Sequence, residues 1–193
     1  MALKPWKKLK SEVRFKNAYW EYVYDNCELP NGLLHEYHSV HTGGSVMIVP
    51  MLENGNLLLV NQYRYLNDRL SIEFPAGGMK PGEIPDEIAR KELIEETGFD
   101  GDIEKIGIFN PYNGVTDEIC HVYIARNLKH SKAHLKDKTE EFELIEADKE
   151  KVGSMVSSNE IYDGMTLAAW SLAGKYLYAV KGMIEKTTET KST

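Results

Sequence analysis

Cysteine is nearly absent. Cys27 and Cys120 are the only two in 193 residues, and no CxxC spacing joins them. That excludes a disulfide-stapled scaffold and a paired-thiol redox motif. Two isolated thiols fit a reducing compartment, so the chain reads as cytoplasmic. No apolar run reaches the length needed to cross a bilayer. Lys4 to Lys10 is basic, but no apolar stretch follows, so no secretory signal is read there. The six histidines are scattered, without HExxH or another zinc spacing. Internal repeats are missing. Positive charge is in deficit: 23 Lys and Arg against 30 Asp and Glu give a net charge of −7. This argues against nucleic-acid and membrane partners. What remains is 42% hydrophobic and 27% charged, an ordinary globular balance for one domain with some additions.

Residues 1–13 read as a polar lead-in. Phe15 to Tyr24, rich in aromatics, and Leu34 to His41 read as an N-terminal β-hairpin turned at Pro30-Asn31-Gly32. Sheet packing accounts for any one of Tyr19, Trp20, Tyr22 and Tyr37; a stacking surface for a nucleobase is the alternative. Ser45 to Leu52 and Leu57 to Tyr65 are apolar strands joined by a turn at Glu53–Asn56, so they read as a second hairpin. Ser71 to Phe74, Ile103 to Phe109, Cys120 to Ala125 and Phe142 to Ala147 read as further strands. Residues 127–139 read as a mobile loop. Asp148 and Asp163 stand where helix caps belong, before a helix to Ser157 and a last helix through Val180. The expected organisation is a lead-in and hairpin over 1–42, a main domain over 43–183 and a disordered tail over 184–193.

The most informative stretch is Gly77 to Phe99, GGMKPGEIPDEIARKELIEETGF. Pro85 can open a helix and Gly98 can close it. Over that helix Glu92, Glu95 and Glu96 share one face, where like charges repel by roughly 0.2–0.5 kcal/mol per pair. They also crowd the negative end of the helix dipole, at a similar roughly 0.3–1 kcal/mol. A solvated acidic helix end is one explanation. A divalent cation held by oxygen ligands is the other, and it would remove both penalties. Ile84 lacks the side chain of an ordinary N-cap.

Gly77, Glu83, Lys91-Glu92, Leu93, Glu95-Glu96, Gly98 and Phe99 closely resemble the signature box of the Nudix hydrolases. Lysine stands at position 91 where the family has arginine, keeping the charge without the planar fork. Gln62-Tyr63-Arg64, Glu73-Phe74-Pro75-Ala76-Gly77, Gly114-Val-Thr-Asp-Glu118 and Ile161-Tyr-Asp163 to Trp170 are similar to its ADP-ribose and nucleoside-diphosphate-sugar pyrophosphatases.

That resemblance implies an α/β/α sandwich with a mixed sheet and an N-terminal hairpin. It implies Mg²⁺, with Mn²⁺ able to substitute, and cleavage of a nucleoside diphosphate sugar to a nucleoside monophosphate and a sugar phosphate. The Ala76 carbonyl, Glu92 and Glu96 would hold metal and Glu95 would assist. Glu118 would be base or further ligand. Arg64 would contact diphosphate or base, and Glu73 would also face substrate. Gly77, Glu83, Lys91 and Gly98 would shape the motif. The hairpin would exchange across a homodimer, bringing Tyr19 or Trp20 and Tyr37 onto the nucleobase. Tyr112-Asn113-Gly114 stands where ADP-ribose-selective members carry Ser-Pro-Gly, which widens the expected substrates to nucleoside diphosphate sugars generally. Two alternatives stay open: another Nudix substrate, such as a dinucleoside polyphosphate or oxidised nucleotide, and a sensor that binds without cleaving.

Overall fold

A computed structural model describes residues 3–131 and 141–178. The N-terminal unit has three strands, β1 (Lys7–Lys16), β2 (Glu21–Glu28) and β3 (Leu34–His41), in an antiparallel meander. Two departures from the sequence reading lie here. The aromatic run Phe15–Tyr24 is broken because the Asn17 side chain accepts from the Tyr19 and Trp20 amides, both at 2.8 Å, and turns the chain. The lead-in is strand from Lys7 onward, because its lysines meet acids across the ladder: Lys8 lies 2.8 Å from Asp25 and Lys7 3.9 Å from Glu28. The turn at Pro30–Gly32 is as expected, with Gly32 at φ 84°.

The main body contains β4 (Ser45–Pro50), β5 (Leu57–Arg64), β6 (Arg69–Glu73), β7 (Ala76–Gly78), α1 (Pro85–Thr97), β8 (Phe99–Phe109), β9 (Cys120–His130), β10 (Phe142–Ala147), α2 (Lys149–Ser157) and α3 (Gly164–Leu177). One sheet runs β7-β4-β9-β8 and a second runs β10-β5-β6. Within the larger sheet of the described residues only the β4–β9 pair is parallel, so that sheet is mixed. The turn between β4 and β5 closes through a Leu52 N–H bond to the Asn56 carbonyl at 2.9 Å, but the strands then part into different sheets. A single bridge, Met51 to Leu57, is all that remains of the expected hairpin. All of β4 and the first half of β5 are buried, and a strand that is apolar on both faces needs cover on both.

Alternation along β4 and β9 assigns the two layers. Val46, Ile48, Tyr123 and Ala125 pack with Ala89 and Leu93 of α1. Met47, Val49, Val122 and Ile124 pack with Val152 and Met155 of α2 and with Ala169, Ala173 and Leu177 of α3. The mixed sheet therefore lies between helices, as expected. Gly98 ends α1 at φ 76°, and the carboxylates of Asp148 and Asp163 accept from the Lys151 and Thr166 amides, as helix caps. β9 continues to His130, so residues 127–130 are strand and not loop. Val180, residues 132–139 of the expected loop and residues 184–193 lie outside the described residues. Among the described residues no helix is long and apolar enough to cross a membrane.

Candidate active site

The sheet order gathers the acids. Ser45, the first residue of β4, pairs with Gly78 on one side and Cys120 on the other. The loop leading into α1 and the loop ending at Glu118 thus stand one strand apart on each side of β4, about 10 Å from one another.

Within α1, Glu96 is buried and its Oε2 accepts from the Ala76 N–H at 3.0 Å. This ties the end of the helix to β7. Glu92 lies against Gly77. A Cβ at residue 77 would come within 2.3 Å of the Glu92 Cδ and 2.6 Å of its Oε1. Lys91 bridges the exposed side of the cluster, 3.2 Å from Glu92 Oε1 and 2.9 Å from Glu95 Oε2. Its hydrogen bond to Glu95, with help from Glu92, outweighs burial and pushes its pKa up to about 12. Lysine thus relieves part of the repulsion seen in the sequence. Glu83 faces the loop instead, accepting from the Lys80 N–H at 2.7 Å. That bond fixes the entry to a helix whose N-cap, Ile84, offers no side-chain acceptor.

Glu118 Oε1 accepts from the Ser45 hydroxyl at 2.6 Å. Burial pushes the Cys120 thiol beside it up to about 11. Glu73 is buried under Arg64, whose Nε donates to its Oε1 at 2.8 Å while Nη2 donates to the other oxygen. The Glu73 hydrogen bond raises the Arg64 pKa, and Asp163 and Glu96 add to it. Arg64 therefore lies in the field of Glu96 as well as Glu73 and Asp163. Glu73, read from sequence as facing substrate, is engaged as the partner of that arginine.

The aromatic candidates separate. Tyr19 and Trp20 line a recess of about 90 Å³ with His41, Thr42, Gly43 and Pro81, so they reach the box loop. Tyr37 donates its hydroxyl to the Gly114 carbonyl at 3.0 Å and meets Trp6 edge-on at 5.9 Å. Its ring braces the loop before Glu118.

The donor set fits a hard cation, because Glu92, Glu95, Glu96 and the Ala76 carbonyl offer only oxygen and Gly77 leaves the room that Glu92 occupies. Among the described residues no three acidic, histidine or cysteine side chains are already gathered round one point. Sequence reasoning missed Ser45, whose one signal is a hydroxyl opening an apolar run. It also missed the contact of His41 Nδ1 with Asp117 Oδ2 at 2.6 Å.

The model of the NUDIX domain matches residues 41–161. An ADP-ribose pyrophosphatase of Bacillus subtilis (strain 168) is 33% identical over 84% of this chain and 89% of its own length. A methanol dehydrogenase activator of Bacillus methanolicus is 32% identical, also over 84% and 89%. A GDP-mannose pyrophosphatase of Salmonella paratyphi B is 34% identical over 64% of this chain and 69% of its own. A crystal structure titled ADP compounds hydrolase superposes with a TM-score of 0.79 at 20% identity, covering 92% of this chain and 96% of that one. At that identity the likeness speaks for the fold. Together with the box held between β7 and α1, the domain match over residues 41–161 makes this chain a member of the NUDIX family.

Proposed function

We propose that the chain is a pyrophosphohydrolase of nucleoside diphosphate sugars, ADP-ribose included, working with Mg²⁺ or with Mn²⁺ in its place. The observation that carries the reading is the seating of Glu92 and Glu96: one fills the space that Gly77 leaves open, the other is tied to the Ala76 amide. Glu92, Glu96 and the Ala76 carbonyl would hold the cation and Glu95 would assist; bound there, it would offset the charge of the phosphoryl oxygens and make a water easier to deprotonate. Lys91 keeps Glu92 and Glu95 together, as its two contacts suggest. Glu118 takes the proton of the attacking water or serves as a further ligand. Arg64 meets the diphosphate or the base with the guanidinium edge left by Glu73. Tyr19 and Trp20 offer a face to the nucleobase. Water adds to one phosphorus, the P–O–P bond breaks, and a nucleoside monophosphate and a sugar phosphate leave.

We assign residues 1–42 to dimerisation and base stacking and residues 43–183 to hydrolysis. Trp6, Leu9, Val13, Phe15 and Leu34 are all exposed on the N-terminal unit, which supports a homodimer, to be measured by light scattering. The two buried free thiols support a cytoplasmic location.

The test is a panel of ADP-ribose, GDP-mannose and UDP-glucose assayed with Mg²⁺, with the products separated. Glu92→Gln and Glu96→Gln should each abolish turnover while the far-UV CD spectrum stays unchanged, and a chelator should do the same. Near-normal rates in either folded variant would exclude the metal site. Intact ligand recovered after saturable binding would leave a sensor.

A further inference from the structure

The stretch His41 to Ser45, from the end of β3 to the start of β4, is wedged between the two acid-bearing loops. Towards the box loop, the Gly44 carbonyl accepts from the Met79 N–H at 2.8 Å. A Cβ on Gly43 would stand 2.0 Å from the Met79 carbonyl oxygen. Towards the other loop, the Val40 N–H donates to the Val115 carbonyl at 2.8 Å and the Ser45 N–H to the Ile119 carbonyl at 3.0 Å. His41 Nδ1 meets Asp117 Oδ2 at 2.6 Å, and the Thr42 N–H donates to the other oxygen of that carboxylate at 3.3 Å. The loop therefore extends the parallel β4–β9 pairing back to the bridge between Val40 and Thr116. Inside this ladder the Ser45 side chain, on a residue 6% exposed, reaches Glu118.

We propose that Ser45 is a positioning residue: its hydroxyl fixes the Glu118 carboxylate through Oε1, and the 41–45 connector fixes the loop that carries it. A carboxylate held through one oxygen has a set plane and keeps its second oxygen for a water or a cation. A hydroxyl that merely satisfies its own burial would affect stability alone; one that aims a reacting group affects turnover. The proposal rests on the function proposed above.

On the substrate of the panel that is cleaved fastest, Ser45→Ala is expected to lower kcat about 10–100-fold with KM within about twofold. Ser45→Thr, which keeps a hydroxyl, recovers most of the rate. In a Glu118→Gln background Ser45→Ala costs nothing further, because the group it positions is gone. Asp117→Asn, at an exposed residue, loosens the same loop without emptying a core position and lowers kcat more mildly. It carries the test if Ser45→Ala does not fold. Equal losses from Ser45→Ala in both backgrounds, or unchanged kcat in the folded Ser45→Ala or Asp117→Asn variant, would overturn the role of Ser45 and its connector alone. A fully active Glu118→Gln enzyme would remove Glu118 from the mechanism and this inference with it. A wild-type chain that cleaves nothing in the panel would sink the proposed function and the inference together.

Discussion

Replacing Gly77 with alanine should cost far more activity than stability. The new methyl would sit 2.3 Å from Glu92 Cδ and 2.5 Å from Cγ, distances no real pair of carbons holds. The obstacle is a side chain and not backbone, so Glu92 can rotate away. Gly77 is not among the glycines with positive φ, so alanine adds no backbone strain. Overpacking of this kind costs about 1–3 kcal/mol, or roughly 2–12 °C in Tm for a chain of this length. Activity should fall further, about 10–100-fold, because Glu92 can no longer stand where the cation needs it. Gly78 is the control, since a Cβ there meets nothing within 4 Å. Steady-state kinetics and Mn²⁺ titration by calorimetry, run on both variants, separate a weakened site from a loosened fold. If Gly77→Ala binds and turns over like Gly78→Ala, Glu92 is not where the chemistry happens.

Gly43→Ala should be harsher on folding, by about 3 kcal/mol or more, because its Cβ would strike the Met79 backbone carbonyl at 2.0 Å; urea titration reads it. Arg64→Ala leaves the buried Glu73 carboxylate without its fork, and with half of Arg64 in solvent the expected loss is about 1–3 kcal/mol by the same titration. Cys120 gives a pH signature. Burial holds the folded thiol at about 11, above the ordinary value of 9.0, so the unfolded chain releases this proton first. Stability is then complete below pH 9 and declines up to pH 11, by about 3 kcal/mol at most. Unfolding curves across that window should slope less for Cys120→Ala than for wild type, and parallel slopes would contradict the shift.

The helix of the box was legible almost to the residue because its punctuation is local: Pro85 and Gly98 bound it, and the caps Asp148 and Asp163 announce the other two helices. The pairing of β4 was not legible. Ser45 to Pro50 is apolar at nearly every position, so nothing in it says which neighbour lies on which edge. β1 was hidden for the opposite reason, since a run of lysines looks solvated until Asp25 and Glu21 stand across from it. In the site, the acids and Arg64 could be found by pattern, and Lys91 to Glu95 by its i, i+4 spacing. Ser45 reaches Glu118 across 73 positions, a distance at which single-sequence periodicity carries no information. Glu73 was visible as a residue but not as the counterion of Arg64, because two side chains nine positions apart meet only once β5 and β6 pair.

The alternation along β4 makes that strand a ruler for the whole molecule. Val46 and Ile48 belong to one layer, Met47 and Val49 to the other. Deleting one residue within it would either exchange the two sets beyond the deletion or shift Ser45 out of step with both Gly78 and Cys120. Length changes are therefore expected to accumulate in the turn at 53–56, whose strands part after one bridge, while β4 keeps its count.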